Sequence, residues 1–193
     1  MKQPLKKYLI LSATIIIMIF IVAIIDGYWP VAFAGFSPVY YQQFNNDYVV
    51  SYNYYADSLK AENQDISVLK TDTSVKELKR AVLESLVEQK IIENELAKSI
   101  NGNDLSRMIQ DKLDSAGIAS DNFKKGAKLL YGLSADDFKK SVLIPRAERE
   151  ILENRLISEN LSLDGWLKDQ KSSMKVYVLI KGFAWADGGI IAK

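Results

Sequence analysis

The sequence predicts a mainly α-helical protein: an N-terminal transmembrane helix, then a multi-helix domain with a small pair of strands at about Val31–Phe36 and Val176–Ile180. Three observations carry this. Tyr8 to Ile25 is an unbroken apolar run preceded by Lys2, Lys6 and Lys7. Ser74 to Ile100 repeats apolar residues every three or four positions, with Val75, Leu78, Val82, Leu86, Ile91, Ile92 and Leu96 on or beside one stripe and most charges opposite. The rest of the chain continues that period in shorter segments bounded by Ser, Asn, Asp and Gly. The chain therefore divides into a cytoplasmic tip and anchor (1–27), an extracytoplasmic helical domain (28–181) and a C-terminal turn or tail (182–193).

The apolar run, as a helix, spans about 27 Å at 1.5 Å per residue, close to the hydrocarbon thickness of a bilayer. Tyr8, Leu9, Ile15, Ile16, Ile17, Phe20, Ile21, Ile24 and Ile25 supply its lipid-facing surface. Three lysines stand before it and no Lys or Arg follows until Lys60, so the N-terminus is expected in the cytoplasm and the domain outside, in the cell membrane by a single pass. Tyr28 and Trp29 are placed to anchor at the outer interface. Ala32-Phe33-Ala34 before Gly35 has the small-x-small pattern of a cleaved signal peptide. The length of the run, and the separation that Asp26 to Pro30 put between it and that site, favour a retained anchor.

Composition narrows the chemistry. Lys and Arg number 25 against 24 Asp and Glu, which leaves no electrostatic footprint for nucleic acid. Cysteine and histidine are both absent, so disulfides, thiolate metal sites, Cys nucleophiles, His-dependent triads and ordinary zinc sites are excluded from this chain alone. No metal and no cofactor is expected.

Between anchor and long helix, Val31 to Phe36 is β-prone and ends in Gly35-Phe36-Ser37-Pro38, a turn or helix entry. From Val39 to about Lys60, Tyr41, Phe44, Tyr48, Tyr52 and Tyr55 recur at helical spacing and line one side, broadened by Tyr40, Val49, Val50 and Tyr54. Such a stripe is either core or a tacky groove for apolar segments of another protein. Glu62 to Thr73 reads as a connecting loop. Ser74 and Glu77 have capping-box spacing for the long helix, and Asn101-Gly102 supplies stop chemistry. Short helices are expected from about Asn103 to Gly117 and from Ser120 to Tyr131. Ser134 with Asp137 opens another to about Ser158, which Pro145 should kink or break near Val142 to Ile144. Leu163 to about Lys171 makes a last helix, and Val176 to Ile180 a buried strand. Gly182 to Lys193 is assigned only as a turn or loose tail.

The segment Leu78-Lys79-Arg80-Ala81-Val82-Leu83-Glu84-Ser85-Leu86-Val87-Glu88-Gln89-Lys90-Ile91-Ile92, followed by Tyr131-Gly132-Leu133-Ser134-Ala135-Asp136-Asp137-Phe138, resembles the N-terminal chaperone domain of SurA-type, PrsA-type and PpiD-type folding factors. The resemblance covers most of Val31 to Ile180 through degenerate apolar patterns. It implies a helical cradle that holds unfolded or partly folded chains outside the cytoplasm. Those relatives usually carry a parvulin-type prolyl isomerase domain as well; this chain has neither the length for one nor the His such sites use, and Pro145 departs from the uninterrupted helix expected at that position.

Carboxylate pairs (Asp136/Asp137, Asp111/Asp114, Glu148/Glu150/Glu153) read as solvated helix faces and caps, because i and i+2 neighbours do not face one another on a helix. Gly188-Gly189 has no following helix and is no phosphate loop. The expectation is thus a non-enzymatic, membrane-anchored holdase that binds extended apolar segments of polypeptide clients, with Tyr41, Phe44, Tyr48, Tyr52 and Tyr55 as contact residues. The alternative is an adaptor subunit that docks one folded partner at the cell surface; a prolyl isomerase is a more distant third.

Overall fold

A computed structural model describes residues 27–118 and 120–193. The expected anchor, including Tyr8, Leu9, Ile15, Ile16, Ile17, Phe20, Ile21, Ile24 and Ile25, lies outside the described residues. Among the described residues no helix is long and apolar enough to cross a membrane.

The chain is mainly helical with a few small antiparallel strands. In order they are β1 (Pro30–Ala34), β2 (Ser37–Tyr40), α1 (Tyr41–Ala61), a 3-10 turn (Ile66–Lys70), α2 (Asp72–Ser99), α3 (Gly102–Ser115), α4 (Asp121–Tyr131), α5 (Ala135–Phe138), a π turn (Lys139–Leu143), α6 (Ile144–Ser158), α7 (Leu163–Ser173), β3 (Val176–Val178), β4 (Phe183–Ala186) and β5 (Gly189–Ala192).

The 28-residue α2 is the spine. Its seam carries Leu83, Val87, Ile91, Ile92 and Leu96, none more than 1% exposed. Burial on this scale needs several partners, and α1, α6, α7, the three-stranded sheet and β5 all pack on it. Thr71 caps it, its hydroxyl accepting from the Ser74 backbone N–H at 3.2 Å, so the helix begins earlier than the Ser74 box predicted. A threonine one turn upstream offers the same oxygen. Asn101-Gly102 is not a left-handed stop: α2 ends at an extended Ile100, and the Asn101 side chain caps α3 by accepting from Asn103 N–H. Asparagine serves either role, and the neighbouring helix decided between them.

The sheet has the order β2-β1-β3 and is antiparallel throughout. The two predicted strands do pair, Phe33 opposite Tyr177, but β1 is also joined to β2 by a Gly35-Phe36 turn. The expectation of a buried second strand is corrected: β3 is an edge, with Tyr177 more than half exposed. Its β-branched residues fit a pleat without requiring two covered faces. By contrast Ala32 and Ala34 in the central strand are fully sealed. The small-x-small pattern expected of a cleavage site is thus the strand on which both neighbours pair.

Gly27 and Trp29 complete the entry to α1. Their carbonyls accept from the Gln42 and Tyr41 N–H groups at 3.0 and 2.9 Å, in place of the side-chain cap that Tyr40 lacks. Gly27 has φ +77°, and a Cβ there would press on the Gln42 backbone at 3.3 Å.

The C-terminal tail is a folded hairpin. Asp187 and Gly188 both take positive φ, 51° and 74°, the signature of a two-residue type I′ turn. Phe183 and Ile190 are buried against the core, Arg80 donates to the Ile190 carbonyl at 3.3 Å, and Lys76 to the Lys193 carbonyl at 2.6 Å. Lys171 of α7 sits between Glu84 and Glu88 of α2, 2.7 Å from each. These part-buried pairs fasten α7 in register along the spine.

Two stability measurements follow. Leu83→Ala should lower the unfolding free energy by about 2–5 kcal/mol in urea titration, as for other large-to-small changes at sealed sites. A chain beginning at Gly35 should lose cooperative thermal unfolding, whereas one beginning at Gly27 should keep it, because only the first lacks the central strand.

Candidate functional site

The aromatic stripe of α1 climbs out of the core along its length. Phe44 is sealed at 3% exposure. Tyr41 packs at the core edge and stacks on Trp29, ring centroids 4.6 Å apart. Tyr48 and Tyr52 are half-buried, with the Lys79 ammonium 5.5 Å from the Tyr48 ring centre. Tyr55 is 51% exposed. The helix outruns the sheet that covers its first turns, so the period predicts a face and the neighbours decide its depth. Tyr54, which flanks the stripe, stacks on Tyr131 of α4, whose other neighbour is Phe138 at 4.7 Å.

Beside Tyr55 the packing of α1 on α2 opens into a crevice of about 260 Å³. Val50, Leu78, Val82 and Val142 make it apolar, and the small residues Ser51, Ala81, Ser85 and Ser141 make it wide. Across α1 lies a second hollow of about 570 Å³, bordered by Tyr28, Val49, Leu133 and the amides of Gln42, Gln43 and Asn46. Ser141 borders both. Its place follows from Pro145. A proline has no N–H to give the carbonyl four residues earlier, which is that of Ser141. The backbone widens instead: the Ile144 N–H bonds to the Lys139 carbonyl, five residues back, and α6 then starts with Pro145 in its first turn. The kink or break expected near Val142 to Ile144 takes the form of a π turn within a continuous helix, which brings Ser141 to the border of both hollows.

Of the five rings expected at the contact site, only Tyr55 borders the crevice. The structure adds Asp47, which sequence reasoning passed over. One signal for it existed, an acid one turn after a ring on an otherwise apolar face. Among the described residues Asp47 has no ion-pair or hydrogen-bond partner for its carboxylate, and burial alone pushes the group up to about 7. Glu148 on α6 is likewise raised to about 7, first by burial and then by Glu93, although it accepts from the buried Gln89 amide. It lies outside the crevice lining and ties α6 to α2.

Three further carboxylates weighed in the sequence have structural partners. Ser134 donates to Asp137 at the cap of α5, Gln110 donates to Asp114, and Glu150 is held below the usual carboxylate range by hydrogen bonds from Lys112 and Arg146. Among the described residues no cluster of three or more His, Cys, Asp or Glu is arranged to hold a metal. The arrangement around α1 thus offers apolar shape and amide hydrogen bonding for binding.

No family model matches the chain, no curated protein matches it, and no solved structure matches its fold.

The unpartnered Asp47 has a consequence for stability. Its folded-state value near 7 lies above the 3.8 of a free aspartate, so between about pH 4 and 7 the unfolded chain gives up a proton that the folded chain retains. That contribution is present at low pH and is lost as pH rises through this window. Asp47→Asn should therefore leave stability near pH 4 almost unchanged and raise it at pH 8 by on the order of 1–2 kcal/mol, allowing for solvent reaching the crevice. Urea denaturation at the two pH values measures the difference.

Proposed function

We propose that this chain is a membrane-anchored, extracytoplasmic holdase that binds extended segments of unfolded or partly folded polypeptides without chemistry or cofactor. The observation that carries the reading is the open crevice below Tyr55, between α1, α2 and the π turn, where Val50, Leu78, Val82 and Val142 present apolar surface. An unfolded segment presents alternating apolar side chains and unpaired backbone amides. The crevice supplies burial for the first, and the Gln42, Gln43 and Asn46 amides across α1 supply donors and acceptors for the second.

The resemblance of Leu78–Ile92 and Tyr131–Phe138 to SurA-type chaperone domains supports the same class, with no isomerase activity carried over. The location rests on the sequence before Asp26, an apolar run behind three lysines. Retention of that run is supported by the strand pairing, because a cut after Ala34 would remove β1 from the sheet.

The full chain in lipid nanodiscs, mixed at equimolar ratio with a chemically unfolded model enzyme, should delay its aggregation as read by light scattering. Ser141→Trp, which narrows both hollows at their shared border, should weaken that protection several-fold while thermal unfolding remains cooperative. Absence of any delay over all ratios would reject the holdase. Recovery of one stoichiometric folded partner, in place of heterogeneous chains, would favour an adaptor.

A further inference from the structure

The acids of α2 that face other elements are matched: Glu84 and Glu88 by Lys171, Glu93 by Lys90, Glu95 by Arg155. Asp47 is different. It lines a crevice whose other walls are valine, leucine, alanine, serine and Tyr55, and no cation among the described residues is paired with it. The nearby Lys79 is placed over the Tyr48 ring, and Lys140 borders the hollow on the opposite side of α1. A half-buried carboxylate without an ion-pair partner is unfavourable to the folded chain, and an incoming cation would relieve that.

We propose that Asp47 makes this crevice a receptor for the side chain of a lysine or arginine carried on an extended polypeptide. The proposal deepens the holdase reading and rests on it. The aliphatic stem of such a side chain lies along Val50, Leu78, Val82 and Val142, while its charged head meets the carboxylate. The four small residues give the stem room, and Tyr55 stands at the rim where the rest of the segment passes. A metal ion is a poorer occupant, because hard cations ask for several oxygen ligands and the crevice offers one carboxylate among hydroxyls. The preferred client segment is therefore apolar with one basic residue.

Binding a cation requires the ionised carboxylate, so recognition is coupled to proton release near neutrality. From α1, Asp47 and Tyr55 are the titratable residues lining the crevice; those contributed by α2 (Leu78, Ala81, Val82, Ser85) and by the π turn (Ser141, Val142) do not titrate. Burial places the Asp47 transition close to pH 7 in the empty crevice.

The test uses the full chain in nanodiscs of zwitterionic lipid and two fluorescein-labelled nonapeptides of Leu, Val and Ser, one with a central lysine and one with norleucine there. Fluorescence anisotropy at pH 8 should show the lysine peptide bound about tenfold more tightly, the scale of one charge-assisted hydrogen bond. The preference should shrink toward unity at pH 5.5, where the carboxyl is protonated. Asp47→Asn should abolish the preference and its pH dependence, and Glu148→Gln should leave both intact. Equal binding of the two peptides by the unaltered chain, or a lysine preference that survives Asp47→Asn, overturns the cation assignment while the holdase stands. If neither peptide binds, both readings are overturned. Displacement of the lysine peptide by N-acetyl-lysine amide at equal concentration would overturn the polypeptide as occupant, since the free side chain would then suffice.

Discussion

The seam of α2 is the constraint on which the other elements depend. Leu83, Val87, Ile91, Ile92 and Leu96 are withdrawn from water almost completely, and no single neighbour covers them. The sheet packs along the same helix as α6 and α7, and α1 joins from a further side. Apolar burial drives this assembly but has no direction of its own. Direction comes from polar contacts with fixed geometry: Lys171 between Glu84 and Glu88, Arg155 with Glu95, Ser37 donating to Asn94, and Arg80 reaching the Ile190 carbonyl. Part-buried pairs of this kind add little net stability, and they penalise any slip that would leave a charge unmatched.

The same packing leaves the binding surface open. Where Phe44 and Val50 meet the core, α1 is tightly held. Beside Val50, serine and alanine line the gap between the two helices, and the π turn ahead of Pro145 borders it. A proline whose missing donor widens the turn, and a run of small residues above it, together produce a concavity that neither would make alone. The crevice and the hollow across α1 share Ser141, so a single backbone irregularity serves both.

Legibility in the sequence depended on how local each cause was. Helices with a strong period and an unambiguous cap were readable: Ser120 and Ser134 cap where expected, and Gly132 closes α4 in the left-handed region at φ 69°. Signals with two meanings were not. Asn101-Gly102 fits a stop and a start equally, and Thr71 competes with Ser74 for the same helix end. The hairpin β4–β5 went unassigned because four-residue strands carry too little pattern to stand out, and what holds them is Phe183 and Ile190 against a helix about a hundred residues away. Asp47 was passed over because an acid on a helix is ordinarily solvated, and its isolation depends on what the other helix and the π turn fail to offer.

By itself, then, the order of residues settled the class: a mainly helical chain, a long central helix, two strands destined to meet, an irregular turn ahead of Pro145. Those follow from periodicity, capping oxygens and a missing N–H, which act over a few residues. Which side of each helix is covered, how far the tyrosines of α1 emerge, that β3 is an edge, and that one carboxylate lines a cleft without an ion-pair partner were decided only by the tertiary arrangement. Burial is a property of neighbours, and neighbours distant in sequence are chosen when the chain collapses on α2.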